Sequence, residues 1–309
     1  MTDFRRHSGD YLDLRRALGY KLAGEGRLLA DLVGFLDKEG ASTITTALAA
    51  TWTTQASGSA AYIARRMRVA RHFARYLHAL DPDTEVPADG LFPAGKHRPV
   101  PYIFSADDVE ALMAAARTLE PAIRAATFET LIGLLAATGM RVGEAMTLDV
   151  GDIDLPGQTL AVRESKYGKS REILLHSSTI DALRSYSAAK DRLGHPRSGS
   201  SFFISARGSR LSHNTVQPTF RHLVRLAGLD KPPGSPQPKI HIHCFRHSFA
   251  VDTLIAWYRD GGNVAARMPL LSTYLGHVDP RATYWYVSGV PELLALAAQR
   301  LQTADGTRP

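Results

Sequence analysis

Leu275-Gly276-His277-Val278-Asp279-Pro280-Arg281-Ala282-Thr283-Tyr284-Trp285-Tyr286 sets a tyrosine nine residues after a Leu-Gly-His triplet. Alone, the stretch says little, because tyrosines in a C-terminal helix more often pack than react. Tyr284 and Tyr286 are two residues apart, about 200° around a helix, so one of them at most faces a given site. Three upstream segments, with the stretch's own triplet and its Tyr284-Trp285-Tyr286, make five and give it its meaning. The upstream three are Thr138-Gly139-Met140-Arg141-Val142-Gly143-Glu144, Ser165-Lys166-Tyr167-Gly168-Lys169 and His243-Cys244-Phe245-Arg246-His247. Each has a bland reading: a surface arginine at a helix start, a solvated lysine in a turn, a His and an Arg one helical turn apart.

Taken in order, the five segments resemble the active-site set of the tyrosine recombinases, the phage integrase family. That set runs Arg, a lysine in a β-hairpin, His-x-x-Arg, Leu-Gly-His, and a tyrosine nine residues further on. The resemblance covers roughly residues 105–302. Phe245 stands where the family often has Leu, which leaves the catalytic positions unchanged. The resemblance implies a site-specific DNA recombinase or integrase that cuts and rejoins strands through a covalent 3′-phosphotyrosyl link, with no metal, cofactor or ATP. Tyr286 is the implied nucleophile. Lys166 is the implied proton donor to the leaving 5′-oxygen, with Lys169 the competing choice. His243 is the candidate acid/base at the nucleophile, His277 a hydrogen-bond donor to the phosphate, and Glu144 a supporting residue.

The residue types suit that chemistry. A phosphodiester is an anion, and attack on it builds charge on its non-bridging oxygens. Planar guanidiniums clamp such oxygens bidentately. Arg141 and Arg246 would thus stabilise the transition state electrostatically. A phenol is mostly protonated at neutral pH, so Tyr286 needs a positive field or a base beside it.

Outward from the site, the pattern predicts a mainly helical protein with a small β-sheet, an α+β fold. A helical, core-DNA-binding (SAM-like) domain is expected over 1–80, a Pro-rich linker over 81–104, and a catalytic domain over 105–309 ending in a helix at 291–302. Helices are expected over 11–38, 42–55 and 59–80, with a capped helix opening at Ser105 and an apolar one over 121–138. Residues 152–162 and 171–176 read as strands. Further helices are expected over 178–193, 214–227, 243–258 and 268–275. The stretch 81–101 holds five prolines and two glycines, which reads as extended chain. The last helix either packs on its own domain or docks on a neighbouring protomer.

Between Glu39 and Asp81 there are five arginines and no acid. Arg65, Arg68, Arg71, His72 and Arg75 fall mostly opposite the apolar face of Ile63, Met67, Ala70, Ala74 and Leu77, and are the candidate DNA-backbone contacts. The overall formal charge of +7 is a weaker pointer to the same polyanion. Double-stranded DNA at specific sites is the expected partner, bound by a homo-oligomer (a tetramer by resemblance), with or without partner recombinases. The segment from Tyr284 is similar to transposon-associated members, which suggests transposition.

One cysteine, Cys244, excludes an intrachain disulfide. His241, His243 and Cys244 could form part of a metal site, though no fourth ligand is apparent. No carboxylate cluster for Mg²⁺ is evident. No signal peptide or membrane span is expected, which points to the cytoplasm. Two competing functions share these features: a DNA-binding subunit with a dead site, and a type IB topoisomerase.

Overall fold

The computed structural model describes residues 3–93, 100–163, 170–192, 199–232, 235, 238–277, 279 and 281–305. The chain divides into two compact units, Met1–Arg98 and Pro99–Pro309. It is mainly helical with one three-stranded sheet among the described residues.

The first unit holds α1 (Phe4–Ala17), α2 (Ala23–Lys38), α3 (Thr46–Thr54) and α4 (Ala60–His78). The expected single helix over 11–38 is therefore two. Gly19 lies at φ +86° and Leu22 at φ +44°, and this left-handed stretch interrupts the helix. The apolar period that suggested one helix belongs to α2, whose Leu29, Leu32, Val33 and Leu36 meet Trp52 of α3 and Met67, Phe73 and Leu77 of α4. Thr45 and Ser59 cap α3 and α4 through the amides of Leu48 and Tyr62.

The arginines of α4 are less free than the local charge count implied. Arg65 pairs with Glu25 at 2.9 Å. Arg66 lies 3.9 Å above the Trp52 ring and pairs with Asp31. Arg71 is buried and bonds the carbonyls of Pro87 and Ala88 and the carboxylate of Asp89. The missing acids come from α2 and from the chain after α4, so Arg71 does not belong to the expected exposed DNA-facing set. Arg68, His72 and Arg75 are exposed. Partial burial, then Arg15, Arg75, Arg68 and Arg71, lower the His72 pKa, so it adds no charge at neutral pH.

The Pro-rich stretch is also corrected. Residues 81–92 are not a free extended linker. Glu85 donates its amide to the Ile44 carbonyl and accepts from the Thr46 amide. Thr84 is buried, and its carbonyl meets the His78 ring. The three anchors of Arg71 complete this strap over the helices.

The second unit begins with residues that were expected in the linker. The Phe104 amide donates to Ser248 Oγ, and its ring stacks on Phe245 with centroids 4.5 Å apart. Then follow α5 (Ala106–Arg117), α6 (Ala122–Thr138), α7 (Val142–Thr147), β1 (Ile153–Asp154), β2 (Thr159–Val162) and β3 (Arg171–Leu174). The sheet is antiparallel in the order β1-β2-β3, with Leu160 opposite Ile173 and Val162 opposite Arg171. The expected strand over 152–162 is really a hairpin of β1 and β2. Pro156 and Gly157 supply its turn, and Gln158 takes φ +54°.

Six more helices complete the unit: α8 (Ser177–Arg192), α9 (His213–Leu226), α10 (Cys244–Arg259), α11 (Val264–Leu275), α12 (Arg281–Gly289) and α13 (Pro291–Asp305). Phe128, Leu131, Ile132 and Leu135 of α6 lie in the main core. Of the two outcomes for the last helix, packing on its own unit is observed. Leu293 is buried with Val251 and Leu254 of α10, and Glu292 pairs with Arg259. Leu294 is exposed, because adjacent residues sit about 100° apart on a helix.

Removing the Arg71 anchors leaves carbonyls without their charged donor. Arg71→Ala is expected to cost roughly 2–3 kcal/mol of stability, whereas Arg75→Ala stays within about 0.5 kcal/mol. Chemical denaturation of the two variants separates the cases.

Candidate active site

α6 ends at Gly139, at φ +59°, a backbone conformation that also lets Phe249 pack against it. A Cβ here would lie 2.6 Å from the Phe249 ring. The chain then opens α7 with Arg141 at its N-cap. Glu144, one turn on, accepts from the Arg141 amide at 3.0 Å and from Arg141 Nη1 at 2.7 Å. The carboxylate also accepts from Arg171 of β3, at 2.8 Å from Nη2 and 3.2 Å from Nη1. Glu144 is buried between two guanidiniums. Burial alone would raise its carboxyl pKa. The hydrogen bonds and charge of Arg171, then of Arg141, outweigh burial and hold it below the usual value.

The last carbonyls of a helix have no intrahelical donor, and that end carries partial negative charge. At the end of α11 three consecutive carbonyls each take an arginine. Tyr274 accepts from Arg171 Nε at 2.7 Å, Leu275 from Arg246 Nη2 at 2.5 Å, and Gly276 from Arg141 Nη2 at 2.9 Å. Arg246 Nη1 also reaches the Gly139 carbonyl at 3.1 Å. Gly276, at φ +65°, closes α11, and the His277 amide turns back to Ser272. A Cβ on Gly276 would lie 3.1 Å from Arg171 Nη1 and 3.5 Å from Arg141 Nη1. The glycine of the Leu-Gly-His triplet is thus required by both its backbone angle and its neighbours.

Three guanidiniums and one carboxylate leave two net positive charges in this cluster. Arg246 is 2% exposed. Burial first, and then Arg141, bring its pKa down to about 10, against the opposing influence of Tyr286 and Glu144. It remains protonated at neutral pH.

The two tyrosines separate as helical geometry requires: Tyr284 is 51% exposed and Tyr286 1%. The Tyr286 hydroxyl lies 3.0 Å from Nδ1 of His247. His243, expected beside the nucleophile, sits at the N-cap of α10 with its ring 4.9 Å from that of His247. His277 places its ring 6.4 Å from the Tyr286 ring and bonds Thr283 of α12 at 2.6 Å. The structure therefore brings together Arg141, Glu144, Arg246, His243, His277 and Tyr286. Lys166 and Lys169 lie outside the described residues. Arg65, Arg68, Arg71, His72 and Arg75 belong to the other unit.

Sequence reasoning missed Arg171, His247 and Thr283. His247 was in view beside Arg246 but had no assigned role. The signal for Arg171 was indirect: an arginine just past the lysine segment, available to a buried carboxylate. As for the metal reading, Cys244 Sγ lies 3.5 Å from His241 Nδ1. No group of three His, Cys, Asp or Glu side chains that could hold a metal occurs among the described residues.

Glu144 gives the stability a pH dependence. Its pKa is lower folded than unfolded, so its contribution is complete above the unfolded value and is lost as pH falls through the folded one. Wild-type stability should therefore decline as pH falls below the ordinary value of 4.5. Glu144→Gln should flatten that part of the acid profile while lowering stability near neutrality. Denaturation series across acid pH measure both effects.

The pattern that defines the phage integrase family matches residues 103–290. Over 309 aligned residues the chain is 37% identical to the putative integrase/recombinase y4rB of Sinorhizobium fredii, covering 98% of each. It is 28% identical over 244 residues to the tyrosine recombinase XerD of Caulobacter vibrioides, covering 78% of this chain and 75% of that one. Its fold is similar to that of the Tn1549 transposon integrase solved with transposon right-end DNA. That likeness has a TM-score of 0.66 at 15% identity, covering 96% and 98% of the two chains. With the family pattern spanning the arginine cluster and Tyr286, the chain belongs to the phage integrase family.

Proposed function

We propose that this protein is a site-specific DNA recombinase of the tyrosine type, and that Tyr286 is its nucleophile. The observation that carries the reading is a doubly positive arginine cluster beside a buried tyrosine that is hydrogen-bonded to a histidine. Arg141 and Arg246 would hold the non-bridging oxygens of the scissile phosphate and stabilise the charge that develops there. The Tyr286 hydroxyl gives its proton to the imidazole pair beside it as its oxygen bonds to phosphorus, the bond to the 5′-oxygen breaks, and that oxygen takes a proton. By family resemblance the proton comes from Lys166. Reversal by a different 5′-hydroxyl rejoins the strand without ATP, because the tyrosyl ester conserves the phosphodiester bond. His277, oriented by Thr283, suits a donor to the phosphate. His247 bonds the phenol directly, and His243 lies beside His247, so this imidazole pair suits acid/base work at the nucleophile. Since Tyr286 is almost fully covered, its hydroxyl must be exposed before a phosphate reaches it.

DNA is the partner in this reading. Arg68 and Arg75 are the α4 side chains best placed to meet its backbone, being exposed and without an ion pair among the described residues. Arg65 would join them after giving up Glu25. The same reading has four protomers working on two sites, in the cytoplasm with the DNA. No helix among the described residues is long and apolar enough to cross a membrane.

On a nicked suicide substrate, wild type should form a covalent adduct and Tyr286→Phe none, with DNA affinity retained. Tyr284→Phe should behave as wild type. An adduct that persists in Tyr286→Phe would remove the assignment. Arg75→Ala should weaken binding to all sequences alike and reduce the slope of log affinity against log salt by about one. Titrations at several salt concentrations read that slope.

A further inference from the structure

Building on the recombinase reading, we infer that Arg171 is a positioning residue of the cleavage site. From β3 it sets the Glu144 carboxylate, and through it the Arg141 guanidinium, against the end of α11. Three of its donors are committed. Nη1 and Nη2 meet the two oxygens of Glu144, and Nε meets the Tyr274 carbonyl. Its side chain is 12% exposed against 26% for Arg141. Arg141 therefore faces outward, while Arg171 stands behind it.

The arrangement solves a charge problem. With Arg141 as its only partner, Glu144 would neutralise the guanidinium needed for the phosphate. Arg171 supplies a second cation, so the carboxylate is shared and the cluster keeps two net positive charges. The same side chain joins segments far apart in sequence, Glu144 at 27 residues and Tyr274 at 103. Arg171 also forms the last β2–β3 pair, opposite Val162, before the segment that carries Lys166 and Lys169. A lysine could not replace it, because one ammonium lacks the planar fork that spans two carboxylate oxygens and a carbonyl.

The charged groups around Glu144 are Arg141 at the head of α7, Arg171 on β3 and Arg246 on α10. Tyr274 of α11 and Tyr286 of α12 are the titratable side chains that interact with these arginines. Removing Arg171 removes the largest influence opposing burial at Glu144. The carboxyl pKa then rises, and on protonation it releases Arg141. A packing role alone would not produce that pH signature.

The test is single-turnover cleavage of a suicide substrate by the full chain, with DNA affinity measured in parallel. Arg171→Gln should bind DNA as wild type does and cleave about 100-fold more slowly. Its cleavage should also fall more steeply than wild type as the pH is lowered, as the buried carboxyl takes up a proton more readily. Glu144→Gln combined with Arg171→Gln should abolish that acid limb. Arg171→Lys should recover part of the rate, since it keeps the charge without the fork. If Arg171→Gln does not fold, Arg171→Lys carries the test, with unchanged binding and cleavage about 10-fold below wild type expected. Wild-type cleavage by either variant overturns the inference. So does a loss of cleavage matched by loss of binding, with an unchanged pH profile. A wild-type chain that forms no Tyr286-dependent adduct overturns the recombinase reading and the inference together. An adduct-forming wild type with an unimpaired Arg171→Gln overturns the inference alone.

Discussion

Three guanidiniums gathered at the end of one helix repel each other, and the site depends on how that repulsion is offset. Like charges a few ångströms apart cost kilocalories where water is excluded. The carbonyls of Tyr274, Leu275 and Gly276 offset part of this, each with one arginine. Glu144 offsets more through two of the three. The balance remains positive, which is useful where an anion is to bind. Neither the carbonyls nor the carboxylate suffices alone. The carbonyls add no net charge, and Glu144 has no hydrogen bond to Arg246, which rests on the Leu275 and Gly139 carbonyls.

That constraint accounts for features that otherwise look separate. Gly139 must end α6 in a left-handed conformation with its carbonyl available to Arg246, and Phe249 fills the space beside it. Gly276 must end α11 the same way, because a side chain there would press on Arg171. Arg246 must sit one turn into α10, a buried helix held by Phe104 and Phe220 around Phe245. The aromatic packing fixes the helix, and the helix fixes the guanidinium.

The recombinase motifs were legible because the chemistry requires particular side chains at particular spacings. Tyr286 could be preferred to Tyr284 from its distance to His277, and helix boundaries with side-chain caps or glycines, such as Ser105 and Gly139, were legible too. Backbone acceptors leave no mark on residue type, so the three carbonyls that hold the arginines could not be read. Nor could pairings distant in sequence. The α4 arginines looked uncompensated in a local window, yet Glu25, Asp31 and Asp89 compensate three of them. Proline count misled over 81–92, because prolines rule out regular structure without ruling out packing. Arg71 holds that stretch through carbonyls, which proline retains.

The end of α11 also bears on α12, the helix that carries Tyr286, the proposed nucleophile. Immediately after the arginine-bearing carbonyls comes His277, whose Nδ1 meets Thr283 near the start of α12. Three residues on, Tyr286 turns inward to His247, the neighbour of Arg246 on α10. The arginine cluster and Tyr286 are therefore joined twice, through the α11–α12 turn and through α10. A shift of α12 that exposed the Tyr286 hydroxyl would disturb the Thr283 contact and, through His277, the turn on which Arg141 and Arg246 rest. Conversely, a phosphate held by the cluster's positive field would stabilise the arginines against that disturbance. With Tyr286 as the proposed nucleophile, binding the anion and uncovering the tyrosine would act on the same few hydrogen bonds, which would tie strand cleavage to occupancy of the site.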